Sequence, residues 1–183
     1  MDESREGLPS PEIESESESL RWVELTRERA QLYFLLGYVN RSKLGQHYES
    51  LEGEFSNYTD FCNDLDEPRD PNRRRFVIID DKRKGDVIGG GNIRLTEEDS
   101  QTASIDIWLA AHIPFVKKGV PVLRVACQYA TEQLGVTKLY ADIKSINRLY
   151  CKIYKDAGFS QDEEADSIYQ FVFILDAPTL PPG

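Results

Sequence analysis

The segment NRLYCKIYKDAGF, Asn147 to Phe159, decides how the rest of the chain is read. Its apolar residues recur at helical spacing from Ile146 to Ala157, and Gly158 supplies the stop, which makes it an amphipathic helix. Asn147, Tyr150 and Tyr154 stand at i, i+3 and i+7 and so share one face. Tyrosines in such a row often cover a core with their hydroxyls at its rim. A phenol held beside a departing thiolate also donates a proton to it. The spacing alone leaves both readings open.

Upstream, Thr137–Ile143 reads as a buried strand, and Val122–Leu134 as an amphipathic helix capped by Gly135. Leu123, Ala126, Cys127, Ala130 and Leu134 form one apolar stripe of that helix. The stretch FVKKGVPV, Phe115 to Val122, reads as a short loop opening it. A helix start exposes N–H groups without internal partners and carries about half a positive charge. Gly119 lets the backbone approach an anion closely, and Lys117 and Lys118 add charge. Pro121, however, is favoured at a first helical position for structural reasons alone. The stretch is therefore either an anion cradle or an ordinary helix start.

Three strands precede it: Arg74–Asp80, Val87–Leu95 and Thr102–Ala110, joined by polar turns at 81–85 and 96–101. Their period-two alternation marks antiparallel hairpins. In the third strand Ser104, Asp106, Trp108 and Ala110 share one face, while Ile105, Ile107 and Leu109 share the other. A carboxylate in such a strand must be paired, solvated or raised in pKa. The last state suits a general base near neutrality; a solvent-facing aspartate is the plain alternative.

Further out, Leu20–Thr26 reads as a first strand and residues 27–40 as a helix, with Leu32, Leu35, Leu36 and Val39 at helical spacing. Residues 41–71 read as a second helix with irregular structure, and Phe159 onward with Ile168–Leu175 as closing strands. The element order is β-α-α-β-β-β-α-β-α-β-β, a single α/β domain over 20–176 followed by an unstructured end at 177–183.

At 183 residues, 40% hydrophobic and 30% charged, the chain suits one soluble domain with a real core. No apolar run approaches the roughly 20 residues of a membrane span, and the acidic N-terminus lacks the apolar region of a secretory signal. We therefore expect a cytoplasmic protein with no membrane partner. Cys62, Cys127 and Cys151 form no CxxC, and His47 and His112 stand alone, so no disulfide framework and no metal site are expected. The net charge is −10, of which −6 falls in residues 1–20. The run ESESES, Glu14 to Ser19, marks residues 1–19 as a disordered acidic tail, or more sharply as a phosphorylatable regulatory arm. So acidic a chain argues against nucleic acid, whose binding rests on neutralised phosphates. A cationic amine suits the charge better.

Taken together, these segments resemble the GNAT superfamily of acyl-CoA N-acyltransferases. Residues 147–159 are similar to that family's N-x-x-(A/S)-x-x-x-Y-x-K-x-G-F segment. Asn147, Tyr154, Gly158 and Phe159 match in register, whereas Asp156 stands at the usual lysine with Lys155 beside it. Residues 116–121, VKKGVP, fall where the family carries (Q/R)-x-x-G-x-(G/A). The resemblance covers roughly residues 20–175 and is strongest over 87–159. It implies a mostly antiparallel mixed sheet of about seven strands flanked by about four helices and splayed at the cofactor site. It implies acetyl-CoA as acyl donor, with the pantetheine arm pairing near Trp108, Leu109 and Ala110. The pyrophosphate would lie on backbone N–H groups of residues 116–122, namely Val116, Lys117, Lys118, Gly119, Val120, Pro121 and Val122. Asn147 would bond the cofactor arm beside Tyr150, and Tyr154 would protonate the CoA thiolate. Asp106 looks like the acid that orients or deprotonates the amine, as in aminoglycoside N-acetyltransferases. The resemblance also leaves a homodimer open.

The chain departs from the pattern at three places. Val116 replaces Gln or Arg, Pro121 replaces a small residue, and Tyr150 stands where Ala or Ser is usual. The proline removes one donor, about 1–3 kcal/mol of charged hydrogen bonding, and Tyr150 narrows the expected channel. The primary expectation is an acetyl-CoA-dependent N-acetyltransferase acting on a small cationic amine. The rivals are a catalytically impaired GNAT-fold binding or regulatory module, and an acetyltransferase of protein N-termini or lysines.

Overall fold

The computed structural model describes residues 19–44, 57–68, 70–165 and 168–174. Apart from Ser19, the expected acidic tail lies outside the described residues, as does the segment 177–183. The described residues form β1 (Leu20–Glu24), α1 (Arg27–Leu44), α2 (Tyr58–Asp66), β2 (Arg73–Asp80), β3 (Asp86–Leu95), β4 (Thr102–Leu109), α3 (Phe115–Leu134), β5 (Lys138–Lys144), α4 (Arg148–Asp156), β6 (Ser160–Ala165) and β7 (Ile168–Ile174). This is the order expected from the sequence.

The strands make one seven-stranded sheet, ordered β1-β2-β3-β4-β5-β7-β6. Each neighbouring pair is antiparallel except β4 and β5. A parallel pair needs a crossover, and α3 supplies it. Alternation along each strand then builds two cores. Phe76, Ile78, Ile93, Ile105, Leu139 and Phe171 turn toward α3 and α4. Val77 and Ile79 turn toward Tyr33 of α1 and Phe61 of α2.

Beneath α1 the sheet is shaped by glycine. A Cβ at Gly90 would overlap the Tyr33 ring, and one at Gly91 would overlap the Trp22 ring on the opposite face. β3 therefore carries no side chains where large aromatic rings must lie flat against its backbone. Tyr33 in turn packs edge-on against Trp108, with centroids 5.2 Å apart. A buried ion pair fastens α2 to this face: Arg75 Nη1 lies 2.6 Å from Asp64 Oδ2, and the side chains are 7% and 4% exposed. Removing one partner of such a pair leaves an uncompensated buried charge and costs about 3–5 kcal/mol.

On α1, Leu32 and Leu35 are 47% and 51% exposed and Leu36 packs partly buried against the core, while Ala30 and Tyr33 are fully buried. The helix is turned so that Tyr33, not a leucine, fills the space over Gly90. One expectation needs correction, that for residues 115–121. They are not a loop, because α3 begins at Phe115, seven residues before Val122, and runs through Pro121. Its far end is as expected: Gly135 adopts φ 68° and caps the Ala130 and Thr131 carbonyls. Burial pushes the Cys127 thiol on α3 up to about 12, so it packs as a neutral apolar group. No helix among the described residues is long and apolar enough to cross a membrane.

Candidate active site

The parallel strands β4 and β5 stay paired for only three positions, Thr102 with Lys138, Ala103 with Leu139 and Ser104 with Tyr140. Beyond Ser104 they part, although β4 remains bonded to β3 as far as Leu109 and β5 to β7 as far as Lys144. The sheet thus opens as a wedge along residues 105–109 and 141–144. This is the splay expected from the sequence.

Asp106 sits one turn of the pleat beyond the fork, and its side chain is exposed. It projects on the α1 side of the sheet with Ser104 and Trp108, as the alternation predicts. Asn92 stands directly opposite it on β3, and the buried Oδ1 of Asn92 accepts no hydrogen bond among the described residues. The fork opens into a cleft of about 790 Å³ whose wall carries Glu97, Glu98, Asp99, Asp106 and Asp142. The single basic side chain of that wall among the described residues, Arg94, is held 2.6 Å from Asp70. The Thr102 hydroxyl and the Gln101 N–H hold the Asp99 carboxyl below the usual carboxylate range, so it is ionised at neutral pH. Asp142 Oδ1 accepts from Gln170 at 3.2 Å. Fixed carboxylates around one concave wall create a field that attracts cations.

Apart from Trp108, the other expected residues gather on the opposite face. The first i→i−4 bond of α3 runs from Lys118 N to Pro114 O at 3.1 Å, and Lys117 N shares that acceptor at 3.0 Å. No side chain caps this end, so the N–H groups of Phe115 and Val116 have no intrahelical acceptor. Those of Gly119, Val120 and Val122 lie within the helix, and residues 119–122 are buried. The donors expected along the whole of 116–122 are thus confined to the first turn, displaced toward Phe115. Gly119 has a packing reason as well: a Cβ there would stand 2.8 Å from Ile153 of α4. The Phe115 ring stacks on Tyr150 at 4.2 Å, which welds the first turn of α3 to the first turn of α4. Val116 is 69% exposed. Lys117 is exposed, whereas Lys118 reaches back to Asp80 at the end of β2.

Asn147 caps α4, its Oδ1 accepting from Tyr150 N at 3.3 Å, so the amide NH₂ is the part of it left to meet an arm of a ligand. Tyr154 is 1% exposed, edge-on to Phe159 at 5.0 Å and near Phe171 at 6.0 Å. Leu109 and Ala110 are buried, and the Ala110 N–H is bonded to Ile88 O at 2.8 Å. The Trp108 ring packs against Tyr33 of α1. Sequence reasoning did not find Asn92, Asp142 or Asp80. Asn92 carries a signal, its place opposite Asp106 in a hairpin; Asp142 and Asp80 read only as strand-end polar residues.

An open mixed sheet, parallel only where it splays, with a helix start at the splay, is the framework of an acyl-CoA N-acyltransferase. The family described as "Acetyltransferase (GNAT) domain" matches residues 23–160. The chain belongs to this family, whose members are acetyl-CoA-dependent N-acetyltransferases. No curated protein sequence matches it. Among solved structures it is similar to the spermidine N-acetyltransferase from Vibrio cholerae in complex with CoA and spermine, at 16% identity and TM-score 0.64, over 86% of this chain and 96% of that one. It is similar also to the N-acetyltransferase PseH of Campylobacter jejuni, at 16% identity and TM-score 0.62, over 86% and 99%. A dodecameric structure of the Vibrio cholerae enzyme matches at 15% identity and TM-score 0.67, over 86% and 94%. At such identities these likenesses carry the fold.

Proposed function

We propose that the protein transfers the acetyl group of acetyl-CoA to a primary amine of a small molecule bearing more than one positive charge. The observation that carries this reading is the cleft at the β4–β5 fork, where, among the described residues, five carboxylates face a single guanidinium that is itself paired. Asp106 and the orphaned Oδ1 of Asn92 are neighbouring acceptors on adjacent strands, a pairing that suits a group rich in N–H donors. The family to which the chain belongs supports the chemistry. The named substrates of the Vibrio cholerae neighbour, spermidine and spermine, are polycations of the proposed kind.

In this reading the amine enters from the Asp106 face and the donor from the α3–α4 face, and they meet in the wedge. The donor supplies a thioester carbonyl for direct attack by a neutral amine. Asp106 accepts a proton or a hydrogen bond from the amine nitrogen and holds it in line. Tyr154 Oη donates a proton to the departing sulfur. The donor's pyrophosphate fits the first turn of α3, where Phe115 and Val116 have N–H groups to give and Lys117 is exposed. The Asn147 amide NH₂ is the donor offered to the arm of the cofactor.

A second reading is favoured by a specific observation. Val120, Pro121 and Val122 are buried in the helix, and Phe115 on Tyr150 closes over its start, so donor grip is reduced and a binding or regulatory role comes into view. Thermal melting with acetyl-CoA separates the two. Saturating acetyl-CoA is expected to raise Tm, since a ligand at about 100 times its Kd adds about 2.7 kcal/mol. An unchanged Tm at millimolar acetyl-CoA would favour the module.

A further inference from the structure

Two lysines stand side by side at the start of α3, and the structure treats them differently. Lys117 is exposed. Lys118 is folded back so that its Nζ lies 3.3 Å from Asp80 Oδ2, and the two side chains are only 15% and 1% exposed. Asp80 is itself fixed: its Oδ1 accepts from Lys82 N at 3.1 Å, which caps the 3-10 turn 81–83. The Lys118 charge is therefore compensated at short range in a poorly solvated place, and the pair presents little net charge to a ligand outside. What it does instead is tie the first turn of α3 to the end of β2.

We infer a division of labour between these lysines: Lys118 with Asp80 is a tether that holds the helix start in place, and Lys117 is the side-chain cation that meets the donor's phosphates. The Lys117 half rests on the donor reading proposed above; the tether half does not. The two adjacent residues, alike in the sequence, thus differ in function because α3 is helical from Phe115. On a helix, neighbours point about 100° apart, so one lysine faces the sheet end and the other faces solvent.

Binding of CoA and of pantetheine, which lacks the phosphates, is measured for the wild type, Lys117→Gln, Lys118→Met, Asp80→Asn and the double variant Asp80→Asn/Lys118→Met, together with their ligand-free melting temperatures. Lys117→Gln is expected to weaken CoA about five- to tenfold, less at high salt, with pantetheine unchanged. Each tether single is expected to lower Tm, because it strands a buried partner. The double variant is expected to lose clearly less than the sum of the singles and to bind CoA within about twofold of the wild type. An additive double variant overturns the tether. Lys117→Gln with wild-type CoA affinity, or a double variant that loses as much CoA affinity as Lys117→Gln, overturns the division. A wild-type chain that binds no CoA removes the donor reading and the Lys117 assignment with it, while the melting temperatures still decide the tether.

Discussion

Asp106→Asn is expected to lower kcat by about 10²-fold or more, within the range that a positioned general base contributes. The side chain is exposed on the cleft side of β4, so the amide keeps the shape and hydrogen-bonding reach of the carboxylate without its charge. The strand below it remains anchored by Ile105 and Ile107, which are 2% and 5% exposed, and folding is not at stake. In the proposed arrangement acetyl-CoA approaches from the other face, so its affinity should change by no more than about twofold, while KM for a cationic amine rises because one carboxylate of the cleft is gone. Steady-state kinetics with both substrates varied, alongside CoA binding, checks this. Wild-type kcat and an unchanged pH–rate profile in the variant would dismiss Asp106 as base.

Tyr154→Phe should show the complementary pattern, a loss of about 10²-fold in kcat with a smaller change in CoA affinity. Tyr154 is among the largest fully buried side chains, held edge-on by Phe159. Phenylalanine keeps the ring and its packing and deletes only the hydroxyl, a stability change of about 0.5–1.5 kcal/mol. Such deep burial also states what the acid role demands: the departing sulfur must reach into the wedge as far as the aromatic cluster of α4 and β7. Comparing kcat with the CoA dissociation constant, with Tm measured alongside, reads the two effects apart. Equal losses in turnover and binding would leave Tyr154 a core residue.

The order of elements and the facing of Asp106 were legible because period two and period 3.6 are local properties of the chain. Gly135 and Gly158 were legible as stops for the same reason, and both adopt positive φ. The start of α3 was not legible. A proline after a glycine reads as a first helical position, and only tertiary contacts carry the helix upstream through it: Phe115 on Tyr150 and Gly119 against Ile153. These contacts outweigh the hydrogen bond that Pro121 cannot give to the Lys117 carbonyl. That Tyr33 is the buried ring of α1 was not legible either. The space above Gly90 selects an aromatic ring, and nothing within residues 27–40 encodes that space. The acidic cleft was half legible. Glu97, Glu98 and Asp99 look like turn residues, and they become a wall only when the fork brings Asp142 and Asp106 beside them. Likewise, the pairing of Lys118 with Asp80 joins a helix to a distant strand end, for which sequence carries no register.

Following release of the CoA thiol from acetyl-CoA by the wild-type chain, with spermidine, a monoamine and a neutral amide as acceptors, tests the transfer most directly. Release is predicted with the amines and not with the amide, with the highest kcat/KM for spermidine and a decline toward the monoamine's value as salt screens the cleft. No amine-dependent release, from a chain that nonetheless binds CoA, would contradict it.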